Sequence, residues 1–508
     1  MKNNKIVENT IYLYSRQIVI LFSNFLIVRI NLKAMGIIDY GIYNAVAGIS
    51  SMLSFLSSSM AVASQRFFSY ELGKNNYEKL KKIYSISIEI YIIVSFIVIL
   101  FSETIGLWVL NNKLTIPIDR RMSSNLIYQL SLLSFIFTLL TTPYIAIIIS
   151  HEDMKSYATI SIVEMLLKII SAVLLYTIRF DKLILYGIMI MLSSIILYSI
   201  YYIICKRKYS ECHFKFEKDL TLFKTIGNFA GWNLFGALSD MFKNQGINIL
   251  LNIYFGPKIN AARAIAFQIN SAVMGFSTNF VTAIRPPIVK LYANNKKKQM
   301  INLVYRSSRM TFYLMLVFVI PISIEMPTLI KIWLSKIPEY VIVFARIILI
   351  DSAINSLSFS LMAAAQATGK IKLYQALVGG TLILYLPIAY VFLKLGISAE
   401  SVLALGIFIT IIATIVRIAI VRRILPIFRI YEYVKIVLLP SLLVCATSYI
   451  LPIIIALNNK ENIFRLLITV LLSEIALVIC IYLIGISKPE RRYINNMIES
   501  KIKRREKI

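Results

Sequence analysis

The stretch FGPKINAARAIAFQINSAVMGFSTNFVTAIRPPIVKLYANNK, residues 255–296, has an earlier counterpart in the same chain. That counterpart is MGIIDYGIYNAVAGISSMLSFLSSSMAVASQRFFSYELGKNN, residues 35–76. A shift of 220 residues sets Gly36 against Gly256, Ser51 against Ser271, Ala63 against Ala283 and Asn75 against Asn295. Each stretch reads as the end of one helix, a short glycine-containing turn, a second helix rich in small residues and then a basic loop. Six helices separate the two copies, so both start on the same side of a membrane. Such a parallel repeat implies two bundles related by an axis along the membrane normal.

The composition says what surrounds the repeat. Of 508 residues, 58% are hydrophobic and 16% charged, with mean hydropathy +0.75. A soluble domain carries about 25% charged residues. Apolar runs of about 20 residues recur, enough to cross roughly 30 Å of hydrocarbon. The expected class is an all-α polytopic membrane protein of fourteen helices, at 11–31, 40–63, 83–101, 126–149, 157–178, 183–205, 226–254, 260–284, 310–333, 341–366, 373–393, 401–421, 434–456 and 463–486. The third could run on to Leu110.

Residues 1–205 then form one six-helix lobe, 206–225 a cytoplasmic linker and 226–421 a second six-helix lobe around a central cavity. Two additional helices fill 422–486, and 487–508 is a basic tail. With the N-terminus inside, the inner segments carry roughly three times as many Lys and Arg as the outer ones. Both termini are therefore expected in the cytoplasm. The first span lacks a cleavage pattern and is expected to be retained rather than removed as a signal peptide.

The net charge of +29 does not point to nucleic acid, because it is dispersed over the short loops that topology makes basic. Cys205, Cys212, Cys445 and Cys480 have no framework spacing, and Cys205 with Cys212-His213 is a weak metal signal. His151 and His213 fall in predicted inner loops. No catalytic constellation and no Walker-type sequence appears, so neither an enzyme nor an ATP-driven pump is expected.

Charges inside spans are the informative exceptions, each costing about 2.5–3.5 kcal/mol at mid-membrane on insertion scales. Arg29, Arg263 and Arg417 lie near span ends and can snorkel. Arg16, Lys168 and Lys243 have less chance of that and need partners, a hydrated cavity or an anionic ligand. Asp240 and Lys243 are three apart, Glu164 and Lys168 four apart, and each pair can close on its own helix.

At about 100° per residue, Asn233, Gly236, Asp240, Lys243, Asn244 and Asn248 share one face of the seventh helix. Asn260, Arg263, Asn270, Ser277 and Thr278 share one on the eighth. Asn44, Gly48, Ser51, Ser58 and Gln65 do so on the second, and Tyr12, Arg16 and Ser23 on the first. The polar faces thus fall on equivalent pairs of the repeat, as the lining of a cavity would. Cross-helix pairing of the arginines, hydrogen bonding of the amides between helices and close packing of the small residues are the structural alternatives.

The segments GIIDYGIYNAVAGI, FGPKINAARAIAFQIN, RPPIVKLYANN, SHEDMKSYATISIVEMLLKI and AAAQATGKIKLYQ resemble the bacterial polysaccharide flippases of the O-antigen, or Wzx, type. These belong to the multidrug/oligosaccharidyl-lipid/polysaccharide exporter superfamily. The resemblance runs from the first helix to about the twelfth. It implies two six-helix lobes around a central cavity in the bacterial inner membrane. It also implies transfer of an undecaprenyl-diphosphate-linked oligosaccharide between leaflets by alternating access. Under it, Arg16, Lys243 and Arg263 would bind the diphosphate, since arginine presents a planar donor fork to phosphate.

On the same reading Asn44, Asn233, Asn244, Asn248 and Asn270 would meet sugar hydroxyls. Asp240, Glu164 and Asp351 are the candidates for coupling to a proton or sodium gradient. No cofactor or metal is expected. Partners would be the lipid-linked glycan, membrane lipids and the polysaccharide polymerase and chain-length machinery. Three readings compete: a multidrug cation antiporter, a lipid II flippase, and an integral-membrane polymerase or ligase. The first wants buried acids, the second shares the cationic cavity, and the third wants a larger outer loop than 102–125.

Overall fold

The computed structural model describes residues 2–114, 116–334, 338–492 and 495–496, and the chain is helical along nearly all of them. Eleven helical segments are long and apolar enough to cross a membrane. They are α1 (to Gly36), α3 (Tyr77–Asn112), α4 (Ile118–Ser150), α5 (Met154–Thr177), α6 (Lys182–Lys208), α9 (Lys297–Ile324, continued by Met326–Leu334), α10 (Val341–Thr368), α11 (Lys372–Lys394), α12 (Ala399–Ile424), α13 (Ile430–Asn458) and α14 (Ile463–Gly485). Three more helices fall between them: α2 (37–52 continued by Ser54–Lys74), α7 (Leu220–Met241 continued to Phe255) and α8 (Pro257–Ala293). These are the three less apolar helices, and all carry polar faces expected from sequence. The result is an all-helical polytopic membrane fold. The third helix is longer than the 83–101 expected, because it continues through a π-helical stretch, Ser102–Gly106. The eighth runs nine residues beyond its expected end, through Pro286 and Pro287.

The repeat is written in the backbone. Gly36 has φ 78° and ψ 171°, and Gly256 has φ 77° and ψ −173°. This conformation is open essentially only to glycine. It separates α1 from α2 and α7 from α8 without a longer loop. At the other end of the repeat, Asn75 and Asn295 are both left-handed, at φ 55° and 57°. Asn75 N–H reaches Leu72 O and Asn76 N–H reaches Glu71 O. Asn295 reaches Tyr292 and Lys296 reaches Leu291 in the same way. This pair of bonds ends a helix by the Schellman pattern.

Contacts divide the described chain into two compact units. One comprises Met1–Leu238, Thr282–Lys296 and Gln366–Ala376, and the other the remainder. Four helices, α7, α8, α10 and α11, contribute to both. The first unit is built on aromatic packing among Phe68, Tyr84, Tyr91, Tyr144 and Tyr201. A clasp also joins its loops: Arg120 donates to Asp39 at 2.7 Å and to Asp181 at 2.6 Å.

The linker of this unit follows α3 in an extended path, with Lys215 N–H on Ser85 and Glu217 N–H on Glu89. It is fixed by Glu211 on His151, whose ring stacks on Tyr209 at 4.3 Å. Beside it, Asp153 caps α5 through Ser156 N–H and also accepts from Lys208 and Tyr209.

In the second unit α13 and α14 are anchored on α9 by charge. Arg465 of α14, 7% exposed, reaches Glu325, which is 0% exposed at the bend of α9, at 3.0 Å. Thr469 and Thr328 donate to the same carboxylate, and the Ala456 and Asn459 carbonyls take the remaining arginine donors. Below them Arg306 and Arg309 hold Glu490. Beyond it, all but Arg491, Arg492, Asn495 and Asn496 of the expected basic tail lies outside the described residues.

Four π-helical stretches occur among the described residues, and each has a side-chain donor on one of its carbonyls. Tyr128 donates to Ser102 O, Arg263 to Asn244 O, Arg309 to Ile436 O and Tyr313 to Gly485 O. A π stretch disturbs the regular i→i−4 ladder, and in hydrocarbon the displaced carbonyls need protein donors.

Two outcomes are expected. Alanine at Gly36 or Gly256 should each cost about 1–3 kcal/mol, although nothing lies within 4 Å of the added methyl group. Alanine at Gly227, equally open but with ordinary φ, should be neutral in the same thermal-unfolding series. Asp153 supplies a pH test. Burial works against its ionisation, but Lys208, Ser156 and Tyr209 together pull its pKa down from 3.8 to about 2. The stability linked to its charge is present above about pH 4 and is lost as pH falls through about 2. The difference in melting temperature between the native chain and Asp153→Asn, which retains the cap, should close over that window.

Candidate functional site

The polar middle of α7 becomes intelligible once its neighbours are placed. Phe242–Gly246 is π-helical, and the wider turn moves Lys243 out of line with Asp240. The expected Asp240–Lys243 pair is therefore not the one that forms. Lys243 Nζ lies 3.2 Å from Asp351 of α10 and donates to Thr410 of α12 at 2.9 Å. Lys243 and Asp351 side chains are 12% and 23% exposed. The Asp351 Oδ1 atom is buried and has no hydrogen-bond partner. Asp240 is exposed and accepts from the Asn244 amide at 3.3 Å.

Two arginines flank this pair. Arg263 of α8 is buried and does not snorkel. It donates to Asn248 Oδ1 at 3.0 Å and to Asn244 O at 2.9 Å, and lies 4.3 Å from the Phe267 ring centroid. Arg417 of α12 is buried as well and donates to Asn355 of α10 at 3.2 Å, again in place of snorkelling. Asp351 and Asn355 are four apart on α10, and Thr410 and Arg417 are seven apart on α12, so each helix presents one polar face. The group holds three bases, Lys243, Arg263 and Arg417, against two acids, Asp240 and Asp351. Asn270, also in this unit, is buried with Oδ1 unpartnered.

The first unit holds the other expected residues. Arg16 lies half-buried with its guanidinium 4.6 Å from the Tyr157 ring centroid. Glu164 and Lys168 form the expected intrahelical pair at 2.7 Å. Asn44 is exposed and donates to Tyr40 O of its own helix. Asn233 is buried, donates to Phe229 O and accepts from both Gln366 and Gln375, so its amide serves interhelical bonding. The side chain of Ser51 lies outside the described residues.

Sequence reasoning missed Arg285, Thr410, Asn355 and Arg66. Arg285 was expected in a basic loop, yet it is still within α8. It donates to Gln65 at 3.2 Å and forms no ion pair among the described residues. The signal for Thr410 and Arg417 was their seven-residue spacing. Nothing in the sequence foretold that a π turn would hand Lys243 to α10 and α12. Among the described residues no group of three or more His, Cys, Asp or Glu could hold a metal ion.

No family model matches the sequence, and no curated protein matches it. The fold does have solved counterparts. One is the outward-facing conformation of a multidrug resistance MATE family transporter of the MOP superfamily, with TM-score 0.72 and 15% identity over 83% of this chain and 95% of that one. Another is a MOP superfamily transporter from Pyrococcus furiosus Vc1 (DSM3638), for which reverse polarity of the binding pocket suggests a different function. It has TM-score 0.70 and 13% identity over 83% and 95%. A MATE structure in the straight conformation is similar at TM-score 0.71 and 15% identity, over 83% and 95%. At these identities the likeness is one of fold.

The buried pair should behave as a unit. Lys243→Met or Asp351→Asn alone should each lower stability by about 3–5 kcal/mol, because each leaves an uncompensated polar group or charge. The double variant should lose much less than the sum, in thermal unfolding of the detergent-solubilised chain. Fully additive losses would mean that the two side chains are not coupled.

Proposed function

We propose that this chain is a membrane transporter that moves a diphosphate-linked oligosaccharide on an undecaprenyl carrier from the inner to the outer leaflet of the bacterial inner membrane. The observation that carries the reading is the state of two arginines of α8. Arg263 and Arg285 are hydrogen-bonded to neutral amides or carbonyls and form no ion pair among the described residues. A cation held this way keeps its charge for an anionic cargo. A transporter for cationic drugs would place acids there instead.

On this reading Lys243 and Arg263 of the second unit attract the diphosphate while the polyprenyl chain stays in the bilayer, and Arg16 and Arg285 of the first unit are further candidates for contact with it. Asn44, Asn244, Asn248 and Asn270 offer partners to sugar hydroxyls as the headgroup loses water. Asn233 is less suited, since two glutamines already share its carbonyl. Of the three carboxylates considered for ion coupling, Asp351 is the best placed, because one oxygen faces Lys243 and the other has no partner. A proton or sodium ion arriving there would loosen the Lys243 pair and bias the alternation between inward- and outward-open states. The excess of Lys and Arg in the inner loops favours both termini in the cytoplasm, on the side where the lipid-linked glycan would be assembled.

Replacing Arg263 or Arg16 with Gln should lower surface polysaccharide by roughly tenfold or more, equivalent to about 1.4 kcal/mol, with lipid-linked intermediate accumulating and the protein still inserted. Unchanged glycan in both variants would sink the cationic-cargo mechanism. Dye efflux that depends on Asp240 or Asp351, with normal glycan, would favour a multidrug cation antiporter. Arrest of cell-wall synthesis on depletion would favour lipid II as the cargo.

A further inference from the structure

The first compact unit contains a cavity of about 620 Å³ whose lining includes none of the charges assigned to the candidate site above. It lies between the end of α2, the first turns of α3 and the linker end of α7. Its size suits a small-molecule site. Arg66 forms part of its wall and is 9% exposed. The guanidinium packs 4.6 Å from the Phe67 ring centroid and 4.8 Å from that of Tyr70. Its one described hydrogen bond goes from Nη2 to the neutral carbonyl of Ala367, at 3.3 Å. The Nε atom is buried with no partner, and no acid lies within ion-pair distance among the described residues.

The other charges of the cavity are mostly committed. Glu71, buried beside Arg66, takes Lys79 at 3.3 Å. Asp219 caps α7 by accepting Leu222 N–H at 2.9 Å. Glu78 stands in the first turn of α3, where the helix dipole already favours an acid. That leaves Arg66 in the wall and Lys82 on the rim as the cations without an assigned partner. The N-termini of α3 and α7 both border the space, with Asn76 and Asp219 accepting the Lys79 and Leu222 N–H groups, and their dipoles favour an anion there.

We propose that this cavity binds a phosphate group, borne either by a small soluble compound or by a lipid headgroup. An arginine fork, a lysine point charge and two helix N-termini form a donor set for an anion with several oxygens. A phosphate seated there supplies the counter-charge that Arg66 otherwise lacks. The rim acids limit the site to a ligand that reaches past them to the wall, which selects for a compact terminal phosphate over a diffuse polyanion.

The test uses the purified full chain. Its melting temperature is followed while inorganic phosphate or glycerol 3-phosphate replaces chloride at constant ionic strength. It is then followed in nanodiscs of phosphatidylcholine with and without phosphatidic acid, whose headgroup is a terminal phosphate. The expected result is a saturable rise in at least one series, with the half-saturating concentration increased about fivefold or more by Lys82→Gln, a change worth roughly 1 kcal/mol. Arg66→Gln should abolish the rise. Should that variant not fold, Lys82→Gln decides alone, since its side chain is exposed. Lys81→Gln, exposed one residue away and outside the cavity, should leave the response intact. A rise with soluble phosphates assigns a soluble ligand, and a rise only with phosphatidic acid assigns a lipid. Absence of a saturable rise in both series overturns the proposal, as does a rise that Lys81→Gln weakens as much as Lys82→Gln.

Discussion

Hydrocarbon offers no hydrogen bonds, and most of the architecture answers to that constraint. A helix satisfies its own backbone only while its ladder is regular. This chain departs from regularity at four π-helical stretches, and at each one a tyrosine or arginine from another helix reaches a carbonyl. The same side chains thereby fix which helices are neighbours. Tyr128 ties α4 to α3, Arg263 ties α8 to α7, and Arg309 and Tyr313 tie α9 to α13 and α14. Irregular backbone and interhelical specificity are two sides of one requirement.

Charge obeys the same rule with larger penalties. Glu325 and Arg465 lie almost wholly out of contact with solvent, and every donor and acceptor around them is engaged. A buried pair of this kind is tolerated only when its geometry is complete. The Lys243–Asp351 pair is different, since one carboxylate oxygen has no partner, and Arg263 and Arg285 are held by neutral groups. A buried charge that is incompletely satisfied is a candidate for completion by a ligand or ion. That contrast separates the α9–α14 anchor, which is structural, from the α7–α8–α10–α12 group, which is the candidate for transport.

The repeat illustrates how far local sequence reaches. Gly36 and Gly256 occupy a conformation closed to other residues, and Asn75 and Asn295 adopt the left-handed turn that asparagine tolerates. Such positions depend on one residue and its immediate neighbours, so an identity match between distant segments was enough to find them. Eleven of the helices were legible for a similar reason, because apolar length along the chain is what a bilayer reads. Helix ends were less legible. Hydropathy falls at Arg285, Pro286 and Pro287, but the backbone remains helical to Ala293, so Arg285 looked like a loop residue and is not one.

By itself, then, the sequence determined the all-helical membrane class, the order of the helices, the internal repeat with its glycine and asparagine turns, and the polar faces of α2, α7 and α8. Each of these follows from composition, period or a single residue's allowed φ and ψ. Only the tertiary structure decided the partners of those polar residues. The Asp240–Lys243 spacing fits an intrahelical pair on a regular helix, and a π turn that no local pattern announces sends Lys243 to Asp351 and Thr410 instead. Asn233 and Arg417 likewise acquired their roles from residues more than 60 positions away in the chain. Pairing across helices is set by packing between faces, and packing depends on the whole set of neighbours rather than on any one segment.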